Sequence, residues 1–129
     1  MRRSHRSENL GFRLRDSAQQ KALRAKNWPQ HLALHCRRHD PQSTLTGEHI
    51  RELHRRQNGR CYWFGVQLRP DPRARYPAKP SVDRLDNSKP HSLDNCVLAC
   101  FAANIGRNST PRREWEVFLR ELEDVIKTF

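Results

Sequence analysis

Asp83, Asn95 and Asn104 fall in one stretch, PSVDRLDNSKPHSLDNCVLACFAANIGRN, residues 80–108, with Arg84 beside the aspartate. Carboxylate and amide oxygens suit a hard divalent cation, and Mg²⁺ keeps several waters, so two protein oxygens are enough. Asp83 lies in a strand-like run and Asn104 at the start of a helix-like one, so two facing elements could supply that pair. Phosphodiester hydrolysis needs such a cation, an activated water and a group that stabilises the added negative charge. Arg84 cannot be a base near neutral pH, but a guanidinium holds a phosphate by two parallel hydrogen bonds. Asp86, two residues on, would share its face of a strand. His91 offers an imidazole with an unperturbed pKa of about 6.5. Asp86, His91 and metal-bound hydroxide are thus three ways to take the proton from water. Asn95 has the donors and acceptor to tie its loop down. Each residue alone reads as a surface carboxylate or a turn asparagine; the combination carries the reading.

The elements around this stretch are legible in outline. Residues 1–16 alternate arginine with polar residues and read as an arm. Residues 17–38 favour helix, in two pieces divided before Pro29. DPQST, residues 40–44, is a linker. Thr46 caps a helix that runs to about Asn58, with Ile50 and Leu53 on one face and Gly59 as its stop. RCYWFGVQL, residues 60–68, is aromatic and β-prone around a glycine, which predicts a hairpin or tight turn. The proline-rich residues 69–80 form an exposed loop. SVDRL is a short strand, NSKPHSLDN a loop, and CVLACFAANIG begins extended and becomes helical. Thr110 caps a last helix with Pro111 in its first position. Trp115, Phe118, Leu119, Leu122 and Ile126 recur on one face of it.

Composition bounds the function. The chain has 129 residues, 35% of them hydrophobic, enough for one small α+β core. We divide it into a basic arm and helical extension, 1–45, and a domain at 46–129. Net charge is +11 and uneven: residues 1–60 hold 14 basic and 5 acidic side chains, residues 61–129 hold 11 and 9. An arginine-rich excess of this kind favours a polyanion, because each cation on a phosphate releases condensed counterions. No apolar run spans a membrane and no secretory signal follows the first arginines, so a cytoplasmic protein is the expectation. Cys36, Cys61, Cys96 and Cys100 form no CxxC pair, and a disulfide framework is not expected. His31, His35 and His39 make a one-sided stripe of the incidental kind. Trp28, Trp63 and Trp115 read as core anchors, Trp63 least firmly.

The two segments HRRQNGRCYWFGVQL and PSVDRLDNSKPHSLDNCVLACFAANIGR together resemble the HNH endonuclease family, in the variety common in phages and prophages. The matching features are Gln-x-Gly-x-Cys at a helix end, a GVxL turn, Ser-Val-Asp-Arg-Leu-Asp, the DN pair, and an apolar strand ending in cysteine. A final asparagine with a basic residue three places on completes them, and the likeness covers about residues 46–120. It implies a ββα-metal fold with flanking helices, gripping one divalent ion, Mg²⁺ or Mn²⁺. Asp83 and Asn104 match the metal-ligand positions, and Asn95 matches the asparagine that orients the strand carrying the base. Arg84 stands where many members have the catalytic histidine, and His91 replaces an aromatic of the loop. The family's zinc-binding cysteine pairs are incomplete, with Phe64 and Ala103 in place of second cysteines, so structural zinc is not expected. Phe64 would fill that volume instead. The implied activity is metal-dependent DNA endonuclease, with Arg107, Arg2, Arg3, Arg6, Arg13 and Arg15 gripping flanking phosphates. Double-strand cleavage would need a homodimer or two binding events. The alternative is a weak or inactive DNA-binding protein that kept the scaffold.

Overall fold

Pro29 decides how the first helical stretch is divided. In the computed structural model, which describes residues 18–129, α1 (residues 18–26) stops at Asn27 and α2 (Trp28–His39) begins with proline in its first turn. There the missing N–H would have been unpaired anyway. The arm arginines Arg2, Arg3, Arg6, Arg13 and Arg15 lie outside the described residues. α3 (Gly47–Arg56) opens with a reciprocal cap: Thr46 Oγ1 accepts from the His49 N–H, and His49 Nδ1 accepts from the Thr46 N–H, both at 3.2 Å. It buries Ile50 and Leu53 and ends in a turn where Asn58 and Gly59 take φ of 54° and 70°.

β1 (Pro80–Arg84) and β2 (Cys96–Cys100) form an antiparallel pair, and α4 (Phe101–Arg107) follows β2 without a break. With α5 (Arg112–Lys127) the architecture is α+β. Residues directly opposite in such a pair point to the same face. Val82 pairs with Leu98 and Arg84 with Cys96, which puts them on one face; Ser81 and Asp83, opposite Ala99 and Val97, take the other. The first face joins Leu98 and Cys96 to Ile50 and Leu53 of α3 and to Ala33 and Cys36 of α2. The core therefore crosses the 45/46 boundary.

The 60–68 segment is a tight loop hung on one bridge, Arg60 to Gln67, with Gly65 at φ 73°. The last helix differs from expectation. Pro111 is its N-cap and no side chain caps it, so Thr110 does not serve there. Of its apolar face only Trp115 is buried; Phe118 and Ile126 are 51% and 59% exposed. A sheet of two five-residue strands has both faces taken by the other helices, and among the described residues no α5 side chain joins the core cluster. Among the described residues no helix is long and apolar enough to cross a membrane.

Candidate functional site

Strand alternation turns Asp83 toward α4, where two residues meet β1. Asn104 Nδ2 donates to Ser81 Oγ (3.1 Å) and to the Val82 carbonyl (3.3 Å). Because a carbonyl can only accept, the Asn104 amide nitrogen faces the strand and its Oδ1 is the end left for another partner. Asp83 itself is 4% exposed. Its Oδ1 lies 2.8 Å from Arg107 Nη1, and its Oδ2 accepts from Trp63 Nε1 at 2.7 Å. Sequence reasoning brought Asp83 and Asn104 to one place, and the structure sets both on the β1–α4 interface.

Arg107 corrects an expectation. Far from gripping DNA at the surface, it is fully buried. Besides Asp83 it donates to the carbonyls of Arg84, Leu85 (2.9 Å) and Thr110 (3.2 Å), and its guanidinium stands 5.2 Å from the Trp63 ring centroid. The side chain satisfies carbonyls at the end of β1, where the ladder stops, and at the α4–α5 turn. A guanidinium suits this because its donors fan out in one plane.

Arg84 and Asp86 do not form the shared strand face expected of them. β1 ends at Arg84, so Asp86 falls in the following turn. Its Oδ1 accepts from the Ser88 hydroxyl (2.6 Å) and the Ser88 N–H (2.9 Å), and these bonds hold its carboxyl below the usual range. That makes it a poorer base. Arg84 Nη1 donates to the Lys89 carbonyl (3.3 Å) on the face away from Asp83. Asn95 does the tying expected of it. Its Nδ2 donates to the carbonyls of Asp86 (3.0 Å), Pro90 (3.1 Å) and Lys89 (3.3 Å), and its Oδ1 accepts from the Asp86 N–H (3.0 Å).

His91 is held from outside the strand pair. Its ring Nδ1 lies 2.8 Å from Asp40 Oδ2, which also accepts the His91 N–H at 2.9 Å. Those two bonds lower the Asp40 pKa to about 2. His91 thus bonds to the end of α2, while Asp83, Asn104 and Arg107 meet at the β1–α4 interface.

The cysteines are all free and buried. Burial pushes the Cys36 and Cys96 thiols up to about 11 and about 12. Cys61 Sγ accepts from the N–H groups of Cys100 (3.2 Å) and Phe64 (3.4 Å), so it fastens the 60–68 loop to β2. Phe64 does not fill an interior volume: it is 43% exposed, its ring 6.3 Å from that of Trp115. Among the described residues no group of three His, Cys, Asp or Glu side chains is arranged to hold a metal.

Sequence reasoning missed three contacts. Gln57 donates to the Leu98 and Arg60 carbonyls and accepts the Leu98 N–H, each at 2.8 Å, bolting α3 to β2. Its place in Gln-x-Gly-x-Cys was the available signal. Nothing in the local pattern announced Trp63–Asp83 or Asp40–His91, which join residues 20 and 51 positions apart. No family model, curated protein or solved structure matches this chain.

Proposed function

We propose that the protein is a DNA endonuclease of the HNH type, working with one divalent cation, Mg²⁺ or Mn²⁺, at Asp83 and Asn104. The observation that carries this reading is the placing of a carboxylate on β1 and an amide on α4 across one interface, in the order strand, strand, helix. The donor set fits a hard cation as a minority of its ligands. Asp83 offers the carboxylate lone pairs that Arg107 and Trp63 leave free, out of about four, and Asn104 offers Oδ1. Mg²⁺ completes such a set with waters and substrate phosphates. When bound, the cation would polarise the phosphate and lower the pKa of a water.

The chain's own residues supply position and charge. Arg107 neutralises Asp83, so the site carries little net negative charge until a phosphate arrives, and cation and DNA bind together. Asn95 fixes the β1–β2 loop, and the Gln57 bonds hold β2 to α3. Exposed arginines such as Arg37, Arg38, Arg69 and Arg75 add attraction for the phosphate backbone independent of sequence. A single site cuts one strand, so a nick is the product expected of a monomer.

One observation favours a second reading. Both Asp83 oxygens already have partners and the residue is 4% exposed, which suits a DNA-binding protein that does not cut. Supercoiled plasmid incubated with Mg²⁺, Mn²⁺ or EDTA separates the two. The endonuclease nicks only with metal; DNA retention without nicking under every metal leaves the binding protein.

A further inference from the structure

A cavity of about 200 Å³ lies between the N-terminal helices and the proline-rich loop, away from Asp83. Its apolar lining includes Trp28 and Leu32 of α2, Pro70 and Pro72 of the loop, and Pro80 at the start of β1. Flat, rigid groups on both sides suit a planar ring, since an aromatic face stacks on any base. Binding pockets for whole small molecules run from about 300 Å³ upward, so this one takes a ring and leaves the remainder of the ligand at the mouth.

The polar lining is one-signed. Lys21, Arg24 and Lys79 all border the cavity. The one carboxylate among the described lining residues, Asp71, is committed: its Oδ1 accepts from the Arg73 N–H (2.8 Å) and Nε (2.9 Å), its Oδ2 from Arg73 Nη2 (2.9 Å). Lys79 Nζ spends one bond on the Arg73 carbonyl, and Arg24 one on the Gln20 carbonyl. Both retain further donors. The His31 imidazole in the same wall feels the excess: burial first, then the charges of Arg24, Arg38 and Lys79, lower its pKa.

We propose that this cavity is a mononucleotide subsite, holding a nucleobase between Trp28 and the loop prolines with its phosphate on Lys79, Arg24 and Lys21. The ligand chemistry is a ring joined to a phosphate, which a free nucleoside monophosphate or one residue of a DNA strand can supply. The proposal needs no metal and no cleavage, so it stands or falls apart from the endonuclease reading.

The test follows the Trp28 indole N–H by NMR, assigned with Trp28→Phe, while deoxyadenosine monophosphate is titrated into the full-length protein without divalent metal. Deoxyadenosine alone and inorganic phosphate alone should each bind about tenfold or more weakly, lacking half the contacts. Arg24→Gln with Lys79→Gln, the first exposed and the second half-buried, with the fold checked by circular dichroism, should weaken the nucleotide about tenfold and leave deoxyadenosine unchanged. A short single-stranded oligonucleotide that binds more tightly than the mononucleotide identifies a strand as the source, and the reverse order identifies the free nucleotide. An unmoved Trp28 resonance with either ligand overturns the proposal. So does a folded double variant that binds the nucleotide as wild type does.

Discussion

Asp83 and Asp40 each lean on a basic side chain, and the two pairs are built on opposite terms. Asp83 and Arg107 are buried at 4% and 0% exposure, joined at 2.8 Å, with the guanidinium also committed to three carbonyls. Asp40 and His91 keep 16% and 15% exposure at the same separation. Arginine holds its charge at every accessible pH, whereas the Asp40 carboxyl pKa is lowered to about 2 by its bonds to His91. The first pair is therefore a fixed part of the fold that happens to present a carboxylate at the β1–α4 interface. The second is a tether between the end of α2 and the β1–β2 loop whose strength follows the ionisation of Asp40. The imidazole of His91 was one of three candidates for the base beside Asp83; its hydrogen-bond partner is Asp40, whereas those of Asp83 are Arg107 and Trp63.

The largest effect should come from breaking the buried pair on one side. Arg107→Met leaves Asp83 charged, buried and unpaired, and should cost about 3–5 kcal/mol in urea unfolding. Adding Asp83→Asn should recover much of that loss, since it removes the orphaned charge. A single-variant cost below about 1 kcal/mol would mean that the pair is not structural. A smaller, pH-limited effect is expected at the tether. The Asp40 carboxyl is lowered from 3.8 to about 2 by its bonds to His91, so its contribution is complete above its unfolded value and lost as pH falls through 2. The stability gap between wild type and Asp40→Asn should thus close between about pH 4 and pH 2 in thermal melts across that range. A gap unchanged down to pH 2 would show that Asp40 has another role.

The elements were legible because their signals are local. Thr46, Pro29 and Gly59 mark the helix ends, and CVLAC reads as extended before FAANIGR turns helical. The roles of side chains were less so. Arg107 carries the same formula whether it faces DNA or a buried carboxylate, and only the strand register, which turns Asp83 toward α4, decides between them. Asp86 looked like a strand neighbour of Arg84 because the strand's last residue depends on where the ladder stops. The C-terminal helix carries a strong apolar stripe, but a stripe says which face is apolar, not that the described residues have surface to cover it.

The different partners of Asn104 and His91 give the most direct test. Asn104→Ala and His91→Ala, each confirmed to fold and to retain DNA, would be compared with wild type in metal-dependent nicking of supercoiled plasmid. With the cation held at Asp83 and Asn104 as proposed, Asn104→Ala should lose about 100-fold or more in nicking rate, on the scale of removing a transition-state contact, while His91→Ala should stay within a few-fold. The opposite pattern, with nicking lost in His91→Ala and kept in Asn104→Ala, would contradict it and move the chemistry to the Asp40–His91 side.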